Sequence, residues 1–273
     1  MQKIVVVGDI HGRDVWKAIL AKETPDKAIF LGDYVGSHDD IDARTQLNNL
    51  YDIFNFSGCE KVLLRGNHDM QHLRYYWAQC SGFDHCVADE MYDIKSKFLA
   101  CTQWAYQEII GEKKVIFSHA GISLAWMRGI IRVVDIEQPN WIDELNRICP
   151  SERFGFNGER GDIYGDSPMQ PCTWIRPQSL IENWIDGYTQ IVGHTPQDAV
   201  NEIKVNDNDS LWLCDSLAGG SYLVMENDNF IIKTIRNYCC PIKISALIFY
   251  CLSPSVAEPQ AERIGGVREA RGG

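Results

Sequence analysis

Short apolar runs alternate with longer amphipathic stretches along most of the chain. The runs Val5-Val6-Val7, Ala28-Ile29-Phe30-Leu31, Val62-Leu63-Leu64, Val115-Ile116-Phe117 and Ile191-Val192 are brief and rich in β-branched or aromatic residues. That texture predicts buried strands. Helical periodicity falls between them, over about Asp14 to Lys22, Ala43 to Phe56, Gln71 to Cys80 and Met91 to Glu108. The alternation predicts an α/β fold. Beyond Pro196, Glu202 to Asp215 and Tyr222 to Arg236 alternate around the polar turns Asn206-Asp207-Asn208-Asp209 and Glu226-Asn227-Asp228-Asn229. These stretches read as β-hairpins of a second sheet packed on the first. One folded domain is expected over residues 1–236. Residues 237–273 read as a tail, disordered or poorly packed, in which the apolar run Ile244 to Leu252 precedes a Pro/Glu/Arg/Gly-rich end.

Each of the five apolar runs ends in a polar cluster. The clusters are Gly8-Asp9-Ile10-His11-Gly12, Gly32-Asp33-Tyr34, Gly66-Asn67-His68-Asp69, Ser118-His119-Ala120-Gly121 and Gly193-His194-Thr195. In open α/β sheets, sites form outside the carboxyl ends of strands. Asp9 and His11 are two apart on an extended segment, so both side chains point one way. Taken singly, each cluster fits a capped turn or a satisfied histidine as well as a ligand. Four of the chain's seven histidines nevertheless sit in these clusters. Five unrelated loops do not account for that. Imidazole, carboxylate and a neutral amide oxygen suit manganese, iron or zinc rather than calcium. No cysteine falls within a cluster, which argues against a zinc–thiolate site.

Composition narrows the reading. The chain has 273 residues, 45% hydrophobic and 23% charged, as an ordinary globular protein does. Its net charge of −11 argues against a general nucleic-acid surface. The ten cysteines form no CxxC pair, and the chain opens on a strand-like run at Lys3 to Val7. Reduced thiols and a cytoplasmic enzyme are expected. No apolar run reaches the roughly 18–20 residues that cross a bilayer, so no membrane association is expected. The oligomeric state is not legible.

The ordered set GDIHG, GDYVG, GNHD, SHAG, VGHT resembles the calcineurin-like metallophosphoesterase superfamily, over roughly residues 1–225. It resembles most the branch of PPP-type serine/threonine phosphatases and symmetrical diadenosine tetraphosphatases. The resemblance implies a four-layer α/β/β/α sandwich of two packed mixed sheets flanked by helices. It also implies two divalent metal ions, manganese first, with iron or zinc as alternatives. Asp9 and His11 would bind the first, Asp33 would bridge, and Asn67, His119 and His194 would bind the second. A hydroxide between the metals would attack phosphorus. His68 would be the general acid, with Asp69 a catalytic candidate beside it. Pro196 stands where many nuclease relatives carry another histidine, as expected for the PPP-like branch.

The chain departs from that branch after its second motif. Gly36 and Ser37 stand where an acid and an arginine are usual. Arg176 resembles a phosphate-contacting arginine, and its planar fork suits a phosphoryl group. Arg65 reads as an ion-pairing residue or a substrate contact. His38, with Asp39 and Asp40, belongs either to a solvated loop or to the site. Asp215 is a further candidate beside the ligands. The tryptophans at 126, 141, 174, 184 and 212 read mainly as core. The expected substrate is a phosphorylated protein or small phosphoester. A dinucleoside polyphosphate is the alternative, and a non-catalytic metal-binding scaffold the remaining one.

Overall fold

The computed structural model describes residues 2–157 and 166–235. The expected tail, 237–273, lies outside the described residues. In chain order the elements are β1 (Ile4–Val7), α1 (Val15–Glu23), β2 (Lys27–Phe30), α2 (Ala43–Asn55), β3 (Glu60–Leu63), α3 (Asn67–His72), α4 (His85–Asp93), α5 (Lys95–Cys101) and β4 (Ala105–Ile110). There follow β5 (Lys113–Ser118), α6 (Leu124–Trp126), α7 (Trp141–Asn146), α8 (Pro177–Glu182), β6 (Tyr188–Val192), β7 (Asn201–Lys204), β8 (Ser210–Leu213), β9 (Ser221–Glu226) and β10 (Asn229–Thr234).

The strands form two mixed five-stranded sheets, in the orders β10-β9-β1-β2-β3 and β4-β5-β6-β8-β7. Strands β1, β2 and β3 run parallel in the first, and β5, β6 and β8 run parallel in the second. Alternation within each short run divides its side chains between two cores. Val5, Val7, Ala28 and Phe30 face helix residues such as Trp16, Ile19, Leu50 and Ile53. Ile4, Val6, Ile29 and Leu31 meet Val115, Phe117, Ile191 and Trp212 of the other sheet. Leu180 of α8 packs with Ile175, Leu211 and Leu213 beyond the second sheet. Strands buried on both faces appear in sequence as unbroken apolar runs. The result is two mixed sheets packed together and flanked by helices, as the resemblance implied.

Three expectations need correction. The hairpins do not make a separate sheet: β7–β8 extends the second sheet and β9–β10 the first. The periodic stretch Gln71 to Cys80 is not one helix. Helix α3 starts at Asn67 and stops where Arg74 takes φ 59°, and only a one-turn 3-10 helix, Tyr76–Ala78, follows. The stretch Met91 to Glu108 is also divided. Asp84 caps Cys86 and Val87 and starts α4 early, while Ala105 to Ile110 pairs with β5 through a turn at Gly111. Side-chain caps and cross-strand pairing outweighed the apolar spacing there.

A buried carboxylate ties the end of α1 to the first sheet. Glu23 accepts from Lys3 Nζ at 2.7 Å, Lys233 Nζ at 2.8 Å and the Tyr222 hydroxyl at 2.8 Å. Burial pushes the Glu23 carboxyl up, but Lys233, Lys3 and Tyr222 outweigh it and hold the group at about 2 rather than 4.5. A depressed carboxyl stabilises the fold above its unfolded value, and that stabilisation is lost as pH falls from 4.5 through about 2. The contribution is on the order of 2–3 kcal/mol. Glu23→Gln should lower Tm at neutral pH and flatten the acid limb of a Tm-against-pH curve. A variant that keeps the wild-type acid slope would contradict the role given to Glu23.

Candidate metal centre

The carboxyl ends of the parallel strands of both sheets meet at one edge. Strand β1 runs into Asp9, β2 into Asp33, β3 into Asn67, β5 into His119 and β6 into His194. The turns that follow are tight. His11, Asp33 and His194 adopt left-handed φ values of 45°, 49° and 62°. Non-glycine residues rarely take that conformation, and its concentration at one place marks a functional site. Two glycines permit the approach. A Cβ on Gly66 would lie 2.0 Å from Asp33 Oδ1, and one on Gly193 would lie 2.0 Å from Asp9 Oδ1.

Five of the six expected ligands are buried, and His11 is partly exposed. Ligand atoms of Asp9, His11 and Asp33 lie within 4.8 Å of one another. His119 Nε2 is 3.4 Å from Asp33 Oδ2 and 2.9 Å from Asn67 Oδ1, while His194 Nδ1 is 3.1 Å from the same Asn67 oxygen. His194 N–H donates to Asp9 at 3.0 Å, which joins the two halves of the cluster. All six expected ligands are therefore brought together.

The ring hydrogen bonds set the tautomers. His11 Nδ1 lies 3.1 Å from Gly36 O, His119 Nδ1 2.8 Å from Leu31 O, and His194 Nε2 3.0 Å from Trp174 O. A carbonyl only accepts, so each of these nitrogens carries the hydrogen. On a neutral ring the other nitrogen presents a lone pair. For His194 that lone pair faces the Asn67 carbonyl oxygen, for His11 Nε2 it faces Asp33 Oδ2 at 3.7 Å, and His119 Nε2 lies 2.9 Å from the same Asn67 oxygen. Acceptors aimed at acceptors require positive charge between them. Imidazoles oriented by backbone carbonyls are the usual surroundings of a bound metal. The donor set of imidazole, carboxylate and amide oxygen fits a divalent transition metal.

The sequence pattern of the family described as "Calcineurin-like phosphoesterase" matches residues 2–213. The chain belongs to that family. Among solved structures, a cold-active protein-tyrosine phosphatase of the psychrophile Shewanella sp. superposes with a TM-score of 0.56 at 19% identity, covering 86% of this chain and 78% of that one. A metallophosphoesterase from Sphaerobacter thermophilus gives 0.49 at 12% identity, covering 85% of this chain and 88% of that one. A protein serine/threonine phosphatase from Saccharomyces cerevisiae gives 0.46 at 15%, covering 85% and 79%. No curated protein matches this phosphoesterase in sequence. Fold likeness rests on the first of these structures, and at such identity it carries no substrate information.

Electrostatics in the phosphoesterase site repeat the demand for positive charge. Burial, with Asp215 and Asp33 as neighbours, raises the Asp9 carboxyl well above its usual range. Burial acts to lower His119, but Asp33 and Asp9 outweigh it and lift the imidazole to about 10. Burial lowers His11 to about 3 and His194 well below 6.5, so both rings stay neutral and keep a lone pair. Burial also raises Asp215 to about 6, against the pull of Arg13. That aspartate is thus beside the ligands, as the end of β8 allows.

The remaining candidates divide. His68 stands at the start of α3, with its ring 5.1 Å from that of His11, and its buried Nδ1 has no partner. His38 is brought in as well, its ring 5.3 Å from His68 and 6.2 Å from His11. Arg176 Nη1 donates to His194 O at 3.1 Å and Thr195 Oγ1 at 3.2 Å, at the edge of the cluster. Arg65 is not brought there. Its guanidinium donates to Leu99 O at 2.8 Å and Thr102 O at 2.6 Å and lies over Trp104 at 4.7 Å. It caps the end of α5 through carbonyls, so neither an ion pair nor a substrate contact describes it. Of the tryptophans, 126, 141, 184 and 212 are core, and Trp174 supplies the carbonyl that orients His194.

Two residues near the site escaped the motif reading. Arg13 directly follows the first motif and pairs with Asp39 at 2.6 Å, so its charge reaches His11 and Asp215. Its place after GDIHG was the available signal. The Cys80 thiol lies beside the Asn67 side chain. Only the path of the loop after α3 brings it there, and no sequence signal announced it.

Asp69 holds two motif turns together. Its Oδ2 accepts from Asp33 N and Gly66 N, both at 2.9 Å, and its Oδ1 accepts from Tyr34 N at 2.8 Å. Asp69→Asn would turn an amide N–H₂ against a backbone donor and leave it unsatisfied. A loss of about 1–3 kcal/mol is expected. Chemical denaturation should show it, together with weaker metal retention on dialysis. An unchanged midpoint would mean that the carboxylate is not the clamp.

Proposed function

We propose that the protein is a metal-dependent phosphomonoesterase of the PPP-like type, acting on a phosphoprotein or a small phosphoester. The convergence of imidazole lone pairs on the oxygens of Asp33 and Asn67 carries this reading, since two-metal hydrolases are built from such donors. Asp9, His11 and Asp33 would hold one divalent cation, and Asp33, Asn67, His119 and His194 the other. Bound there, the pair supplies Lewis acidity and lowers the pKa of water from 15.7 toward roughly 7.

The chain's own residues do the rest. Asp33 spans both halves of the cluster, with Oδ2 near His11 and His119 and Oδ1 accepting from His68 N at 2.9 Å. That bond fixes the start of α3, and so the position of the His68 ring. His68 gives a proton to the departing oxygen, and because Nδ1 is enclosed, Nε2 is the atom that meets it. Arg176, anchored on His194 O and Thr195, offers its fork to the equatorial phosphoryl oxygens, where charge grows in the transition state.

With manganese present, the protein should hydrolyse p-nitrophenyl phosphate, and chelation should abolish turnover. Phosphopeptide and diadenosine tetraphosphate in the same panel separate a phosphomonoesterase from a dinucleoside polyphosphate hydrolase. His68→Asn should keep its metal content but lose roughly 10²–10⁴-fold in kcat, most with poor leaving groups. An equal loss on good and poor leaving groups would refute the proton-donor role. Asp33→Asn should retain fewer than two equivalents of metal by elemental analysis, and full occupancy in that variant would refute the bridging role.

A further inference from the structure

A cavity of about 530 Å³ opens beside α3, lined by Gln71, Tyr75, Tyr76, Gln79, Cys80 and Phe83, with Arg74 and His85 at its rim. Small-molecule sites typically enclose about 300–1,000 Å³. The cavity neighbours the metal centre through α3 and the loop that follows it. Gln71 lies one turn along α3 from Asn67 and His68, on the same helix face. Its amide fixes the loop beyond, with Oε1 accepting from Cys80 N at 2.6 Å and Nε2 donating to Ser81 O at 3.1 Å. Cys80, in the cavity wall, has the Asn67 side chain as a neighbour. The loop carrying Cys80 and Phe83 also passes His38, since a Cβ on Gly82 would lie 2.9 Å from the His38 ring, which in turn meets the His68 ring at 5.3 Å.

Its lining is unusual for this protein's surface. Tyr76 is 71% exposed and Phe83 42% exposed, and both rings stand in one wall rather than in the core. Phe83 is held rigidly, with one face stacked on the buried His72 ring at 5.2 Å and an edge contact to His85 at 5.0 Å. The Tyr75 ring is held under Lys95 Nζ at 3.6 Å. The chain carries a net charge of −11, yet no Asp or Glu lines this cavity among the described residues. Exposed Gln79 adds an amide donor and acceptor.

We propose that this cavity binds the nucleoside of a nucleoside monophosphate while the phosphate lies at the metal centre. The inference rests on the phosphomonoesterase reading and names its substrate class. Rigid aromatic walls stack on a flat heterocycle, worth about 1–3 kcal/mol per base. No carboxylate among the described residues lines the cavity itself, and two that reach its lining residues are engaged, Glu152 by the Tyr76 hydroxyl and Asp89 by Arg74. An amide edge pairs with ring nitrogens and exocyclic groups of the base. Binding energy gained there, remote from phosphorus, accelerates the reaction when it positions the ester. Hydrolysis is then the addition of water across the P–O bond of the nucleotide. The P–O bond to the nucleoside breaks, its oxygen takes the proton from His68, and the products are nucleoside and inorganic phosphate.

Two measurements decide the matter. Adenosine titrated into the full-length protein in chelator reads the cavity without turnover. It should bind, and Tyr76→Ala and Phe83→Ala should each weaken it about tenfold. Tyr76→Phe, which keeps the ring, should restore wild-type affinity. In manganese, kcat/KM for adenosine 5′-monophosphate should exceed that for glycerol 2-phosphate by about tenfold or more, and that ratio should fall in the two alanine variants. No adenosine binding, a ratio near one, or a phosphotyrosyl peptide preferred over the nucleotide would each overturn the proposal. Should no phosphoester be hydrolysed, the proposed reaction fails, while the adenosine titration still tests the cavity.

Discussion

Buried carboxylates, imidazoles and an amide oxygen gathered at one edge are the constraint on which the molecule depends. Desolvating such groups together is unfavourable unless positive charge sits among them. The lift of His119 to about 10 by Asp33 and Asp9 is the local expression of that constraint. The backbone carbonyls of Leu31, Gly36 and Trp174 turn each imidazole so that its other nitrogen points inward.

Holding that arrangement needs a stiff frame. Parallel strands from two sheets end at one edge, and their turns take left-handed backbone at His11, Asp33 and His194. Asp69 fastens the second and third turns through three backbone N–H groups. Lys27 of β2 reaches the opposite sheet at Glu108 and the Tyr106 hydroxyl, both at 2.6 Å, which sets one sheet against the other. The strain at the turns is sustained because the doubly buried sheets beneath cannot shift.

The metal-ligand candidates and the residues around them sit on different kinds of structure. Metal-ligand candidates hang from strand ends, whereas His38, Arg13 with Asp39, and the cavity next to α3 belong to loops. Loops on a rigid scaffold vary without disturbing the core, so family membership leaves the substrate open. The loop after the second motif shows this directly. Gly36 and Ser37 replace charged residues, and a Cβ on Gly36 would come within 2.6 Å of His68 Nδ1. That glycine makes room for the ring, while His38 and Asp39 turn toward His68 and Arg13.

The α/β architecture, the five strands and the grouping of the six candidate ligands were legible in the sequence, because doubly buried strands write unbroken apolar runs and strand ends write short polar motifs. Each of those signals is local, and the topology of parallel strands carries it to one edge. Residues whose partners are distant in sequence were not legible. Arg65 looked like a candidate until Leu99 and Thr102 claimed its guanidinium, and the hairpins joined different sheets because strand partners are chosen in three dimensions. The helices after Asn67 broke where Arg74 turned left-handed and Asp84 offered a cap. Cys80 and the aromatic wall around Phe83 came to the site along a loop with no periodicity to read. Sequence thus determined which groups stand at the strand ends, and tertiary structure decided which loops surround them, since long-range contacts leave no regular imprint along a chain.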